Sequence, residues 1–143
     1  MFLVVDANVL FSALIVDGKT RELLFSDHLQ LMVPEFLFTE FEEHIEEIKE
    51  KSGLSREEMD MVLSIFKERM DIVPKEEFES VLKEANDVCP DPDDTEYFAL
   101  SIAKESYLWS DEKRLKNQDK VKVISTSELI TIVEKRKSCE QVR

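Results

Sequence analysis

Glycine is nearly absent from this sequence. Only Gly18 and Gly53 occur in 143 residues, and neither stands in a strand-to-helix turn. That excludes the phosphate-cradling loop G-x-x-x-x-G-K-[ST] and the dinucleotide fingerprint G-x-G-x-x-G, which need glycine so that backbone can approach a phosphate. Histidine is as scarce, with His28 and His44 alone, and no serine lies in a G-x-S-x-G elbow. A Ser–His–Asp hydrolase therefore lacks its parts. The two cysteines, Cys89 and Cys139, match no metal-ligand spacing and no disulfide framework, and suit a reducing cytosol. The opening MFLVVDANVL is interrupted by Asp6 and Asn8 and has no basic leader, so it reads as neither signal peptide nor membrane span. A cytoplasmic protein without a membrane partner is the expectation.

Positive charge is in deficit too. Nineteen Lys and Arg against 32 Asp and Glu give a net charge of −13. This balance argues against a protein that binds nucleic acid by bulk attraction to phosphate. It leaves open a nucleic-acid enzyme whose positive charge comes from bound cations. Asn and Gln together number only six against 36% charged residues, a composition that leans toward a heat-adapted source. The apolar fraction of 43% is that of an ordinary globular chain, and the length suits one domain. We expect a single domain over residues 1–137 and a short tail over 138–143.

The hydrophobic pattern alternates between strand and helix. FLVV (2–5) reads as a buried strand, followed by a helix over 8–15 and a short one, RELLFSD, capped by Thr20. LQLMV (29–33) is a second strand, and a long acidic helix is expected from Glu35 to Lys51, stopping at Gly53. Ser55 with Glu58 forms a capping box for the next helix, which runs through Met70. DIVP (71–74) is a third strand, and KEEFESVLKEANDV a further helical stretch. Pro90 and Pro92 end it, and a new helix is expected over 93–105. YLWS (107–110) and VKVIS (121–125) complete five strands before a final helix, TSELITIVEKR. This order predicts a three-layer α/β/α sandwich around a mainly parallel five-stranded sheet.

In such sheets ligands collect beyond the carboxyl ends of the strands, and two acids are delivered there. FLVV leads into Asp6, and YLWS into Asp111. Glu40 follows the second strand, at the edge of the helical stripe Leu37, Phe41, His44 and Ile48, and its side chain leans back toward the strand ends. Asp94 opens the helix after CPDP, where unpaired N–H groups favour a carboxylate, with Asp91 and Asp93 close by. Each has an ordinary role when taken alone. Asp6 caps a helix, Asp94 serves as an N-cap, Glu40 is solvated, Asp111 caps the KRLK turn, and His44 packs. Convergence changes the physics, because two carboxylates 4 Å apart repel by roughly 4 kcal/mol at an effective dielectric of 20. An all-oxygen cluster needs a hard cation, Mg²⁺ or Mn²⁺.

These segments resemble the PIN-domain ribonucleases. FLVVDANVLFSAL is similar to the family's strand-one motif, and LMVPEFLFTEFEEH to the second motif, in which a helical Glu follows strand two. DPDDTEYFALSIA resembles the acidic helix opening, and LWSDEKRLK the strand that ends in T/S-x-D or a near variant. The resemblance puts the catalytic and metal-binding quartet on Asp6, Glu40, Asp94 and Asp111. It puts supporting roles on Asn8 and Ser110, and the neighbours Asp91 and Asp93 are supporting candidates beside Asp94. Trp109 departs from the pattern, standing where a small or β-branched residue is usual.

The implied activity is metal-dependent endoribonucleolytic hydrolysis of RNA, with Lys113, Arg114 and Lys116 as candidates to hold the RNA backbone. The resemblance also implies a toxin of the VapC type with a cognate antitoxin, and a homodimer. The alternative is a non-catalytic PIN-like module that binds RNA or protein. A phosphatase of the HAD type needs D-x-D, and Asn8 occupies the third position.

Overall fold

The computed structural model describes residues 1–16 and 18–142, the last three of these as backbone. Five strands form one sheet: β1 (Phe2–Val5), β2 (Gln30–Pro34), β3 (Met70–Val73), β4 (Tyr107–Trp109) and β5 (Val123–Ile124). All pairings are parallel, in the order β3-β2-β1-β4-β5. The sheet is parallel throughout, where the pattern predicted a mainly parallel one. Its strands are apolar because both faces are covered; Leu3, Val4 and Val5 are wholly inaccessible.

The strand order reverses direction at β1. The chain steps from β1 to β2 and β3 on one side, and later returns to place β4 on the other. Val5 pairs with Trp109, and the Asp6 N–H donates to the Trp109 carbonyl at 3.1 Å. The carboxyl ends of β1 and β4 therefore form the switch point where a doubly wound sheet opens a crevice.

The helices are α1 (Ala7–Ile15), α2 (Lys19–Leu24), α3 (Phe36–Glu43), α4 (Ile45–Ser52), α5 (Arg56–Arg69), α6 (Leu82–Val88), α7 (Thr95–Lys104) and α8 (Thr126–Val142). Helix α7 packs across β1, β2 and β4 with α6 against it, while α1 meets α2, α3 and α4. Among the described residues, no helix is long and apolar enough to cross a membrane.

Local chemistry explains most boundaries. Asp6 caps α1 by accepting from the Asn8 N–H. The Ser55–Glu58 capping box forms in full, and Gly53 ends α4 at φ 71°, the left-handed region glycine favours. The α5 stripe buries Met59, Leu63 and Phe66, as its spacing indicates.

Three expectations are corrected. The acidic helix over 35–51 is two helices, broken at His44 (φ −105°, ψ 10°), and the break turns α4 onto α1. KEEFESVLKEANDV begins as two 3-10 turns, Lys75–Glu77 and Glu79–Val81, separated by the fully buried Phe78, and only its second half is α6. Helix α2 starts at Lys19 beside Gly18, so Thr20 lies inside it and is not its cap.

Candidate metal and active site

Asp6 sits where β1 passes into α1 and is 2% exposed. Its Oδ1 accepts from the Asn8 N–H at 3.4 Å and its Oδ2 from the buried Ser110 hydroxyl at 2.8 Å. Asn8 supports Asp6 through its backbone, and Ser110 through its side chain. Burial raises the Asp6 pKa, and the two hydrogen bonds oppose that rise.

Asp94 stands at the end of the 3-10 turn Pro92–Asp94 and opens α7. It occupies the N-cap position, yet its side chain makes no capping hydrogen bond and is 7% exposed. Burial, followed by the charges of Asp6 and Glu112, pushes its pKa up to about 8. A capping carboxylate would be held ionised by the helix N-terminus. Asp94 is instead crowded by other acids. Asp91 does the local capping, accepting from the Asp93 N–H at 3.0 Å, and Asp93 itself is exposed.

Glu40 projects from α3 and is half-buried. Its Oε1 accepts from the Tyr97 hydroxyl at 2.7 Å, across from α7. Burial pushes its pKa up to about 7, against the Tyr97 hydrogen bond, with the Asp6 charge adding to the rise. Tyr97 is itself 1% exposed and was not recognised from sequence, where it reads as an apolar helix residue. Tyr97→Phe is expected to weaken divalent-metal affinity about tenfold while lowering the melting temperature by only a few degrees, since a hydrogen bond to a charged group contributes roughly 1.5–3 kcal/mol. Calorimetric Mn²⁺ titration beside a melting curve separates the two effects. Unchanged affinity with a large loss of stability would mean that Tyr97 only packs.

The fourth acid at the cluster is Glu112. Carboxylate oxygens of Asp6, Asp94 and Glu112 lie within 4.8 Å of one another. Asp111 lines the same opening, but its carboxylate turns to the start of α8, accepting from the Thr126 N–H and the Thr126 hydroxyl at 2.7 Å each. Trp109, fully buried, donates its Nε1–H to the same Thr126 hydroxyl at 2.9 Å. The unusual Trp is thus part of a strand-to-helix tie through Thr126 to Asp111. Ser110 and Glu112 thus meet Asp6, Ser110 through its hydroxyl and Glu112 in the carboxylate group, while the Asp111 carboxylate is held by Thr126. Read strictly, T/S-x-D places its acid two residues after Ser110, which is Glu112.

The basic stretch is mostly committed elsewhere. Arg114 pairs with Glu112 and with Asp91 at 2.8 Å, and Lys116 pairs with Glu128. Lys113 is exposed and forms no ion pair among the described residues. Asp6 and Asp94 accept no hydrogen bond from a lysine or arginine among the described residues. Arg114 balances Glu112, but no lysine or arginine among the described residues reaches the oxygens of Asp6 or Asp94, and such a donor set suits a hard divalent cation.

A family model described as a PIN domain matches residues 4–136. No curated protein matches. Among solved structures, a chain from the crystal structure of VapBC2 from Rickettsia felis, bound to a DNA fragment from their promoter, is similar with a TM-score of 0.62 and 14% identity. The match covers 87% of this chain and 98% of that one.

Proposed function

The chain belongs to the PIN-domain family, and on that premise we propose that it hydrolyses RNA phosphodiester bonds at the switch point between β1 and β4, with Mg²⁺ or Mn²⁺ as cofactor. The observation that carries this reading is the convergence of Asp6, Asp94 and Glu112, with Glu40 beside them, in a place that pushes Asp94 and Glu40 toward protonation. Such crowding is relieved when a cation binds.

Asp6, Asp94 and Glu112 would hold the ion, with Glu40 reaching it directly or through water. Held there, such an ion would lower the pKa of a bound water and neutralise charge on the phosphoryl oxygens. The side chains around it do positional work. Ser110 and the Asn8 N–H fix both oxygens of Asp6, Tyr97 fixes Glu40, and Arg114 fixes Glu112. Ser110 is buried and committed to Asp6, so its hydroxyl positions a ligand, and in this proposal the nucleophile is water. Lys113, next to the site and without an acid partner among the described residues, is placed to meet an RNA phosphate. In Arg114 and Lys116 the charge is already balanced by internal acids.

An antitoxin partner and a homodimer belong to the same proposal. The Rickettsia structure is a VapBC2 complex. A short neighbouring reading frame for a DNA-binding protein would support the toxin role.

Purified protein with Mn²⁺ is expected to cut a labelled RNA hairpin in its loop, because in-line attack needs an accessible and flexible backbone. EDTA should stop the reaction. Cuts confined to the stem, or cutting that persists in EDTA, would contradict the proposal.

A further inference from the structure

Asn8 and Ser12, on the first turns of α1, line the opening that holds Asp6, Asp91, Asp111 and Glu112. The same two residues line a second opening of about 350 Å³ between α1 and α4, so the two openings share a wall. Phe11, Ile15 and Ile48 are its apolar lining. The lining also carries His44, Glu47 and Lys51, one ring and then an acceptor and a donor next to each other. His44 is exposed, and its ring centroid lies 6.0 Å from that of Phe11, tilted by 54°. The helix break falls at this residue, which places the imidazole at the junction of α3 and α4. Lys51 donates to Glu47 at 2.7 Å, and His44 Nδ1 lies 3.6 Å from the other Glu47 oxygen.

We propose that this opening is a nucleobase subsite for the RNA strand cut at the acid cluster, taking a guanine stacked on His44 with its donor edge on Glu47. The proposal rests on the nuclease reading and adds the substrate preference. The charges of Glu47 and Lys51 cancel, so the lining has no net positive charge with which to hold a phosphate. A flat neutral ring suits it instead. Unstacked RNA bases are bound by aromatic faces and read along their hydrogen-bonding edges. Guanine presents two adjacent donors, N1–H and N2–H, to a carboxylate, and its O6 can accept from Lys51. Uracil would turn carbonyls toward the carboxylate on both sides of its single donor.

The test has a cleavage arm and a binding arm. With a randomised single-stranded RNA pool and Mn²⁺, cuts are expected to cluster beside guanines. His44→Ala should raise KM about tenfold with kcat little changed, given the usual contribution of base stacking, and His44→Phe, which keeps a ring, should restore it. Glu47→Gln should abolish the guanine preference, while Glu50→Gln on the same helix leaves it intact. In the binding arm, metal-free ¹⁵N-labelled protein is titrated with guanosine and, separately, with uridine. Guanosine should shift the amide resonances of Asn8, Phe11, His44 and Lys51, and uridine should shift them far less. RNA cut without guanine preference, or a preference that survives Glu47→Gln, overturns the subsite and leaves the nuclease standing. Equal shifts from both nucleosides, or none, overturn it as well. Guanosine-specific shifts in a protein that cuts no RNA would keep the subsite and remove the nuclease reading.

Discussion

Replacing Asp94 with asparagine is expected to reduce RNA cleavage by about a thousandfold or more, since a bound cation contributes several kcal/mol of charge stabilisation in the transition state. The same substitution should raise the melting temperature of the metal-free protein at pH 8. The sign follows from the raised pKa values. Burial and neighbouring acids push Asp94 up to about 8 and Glu40 up to about 7, whereas unfolded carboxyls titrate near 4. Below about pH 4 both states hold their protons and there is no penalty. Between there and pH 8 the folded state must either keep protons that the unfolded chain has released or carry crowded charge, so metal-free stability falls as pH rises. Asp94→Asn should flatten that fall, and millimolar Mg²⁺ at pH 8 should offset it in the wild type alone. Asp6→Asn and Glu112→Gln should resemble Asp94→Asn in activity. Pairs of these changes should cost little more than one, as for residues that act as a unit. Melting curves from pH 5 to 8, with and without metal, together with cleavage rates, check the set. A metal-free stability that rises with pH would mean the acids are not crowded.

The second large effect separates two neighbours. Glu112→Gln is expected to lose about a thousandfold in cleavage, as Asp94→Asn does. Asp111→Asn keeps an acceptor for Thr126 and should stay within a few-fold of wild type. Asp111→Ala should remain active and lower the melting temperature by about 2–5 °C, the range for losing a helix cap in a domain of this size. Loss of activity in Asp111→Asn with full activity in Glu112→Gln would reverse the assignment, putting Asp111 at the metal and Glu112 outside it.

Much of this arrangement is legible in sequence because it follows from local rules. An apolar strand that ends on Asp needs no tertiary information to be noticed, and β1 with Asp6 forms as FLVVD implies. The Ser55–Glu58 box and Gly53 fix their helix ends through bonds within a few residues. Two features depend on distant partners and were not legible. The break at His44 is invisible because the apolar stripe Leu37, Phe41 and Ile48 keeps helical spacing straight through it; packing of α4 on α1 selects the break. The hydrogen bond of Tyr97 to Glu40 spans 57 residues of sequence. Asp111 and Glu112 fall between these cases. Both follow the same strand, and the direction in which each turns is set by partners outside it: Thr126 at the start of α8 holds Asp111, and Arg114 holds Glu112.

The most direct measurement is a crystal of the protein grown at pH 8 with Mn²⁺ and examined by anomalous scattering at the manganese edge. The expected result is a peak with carboxylate oxygens of Asp6, Asp94 and Glu112 at about 2.1–2.3 Å, the distance range for small oxygen-bound divalent cations. An empty cluster in crystals soaked in millimolar Mn²⁺ would contradict it, as would a peak held by Asp111 away from Asp6.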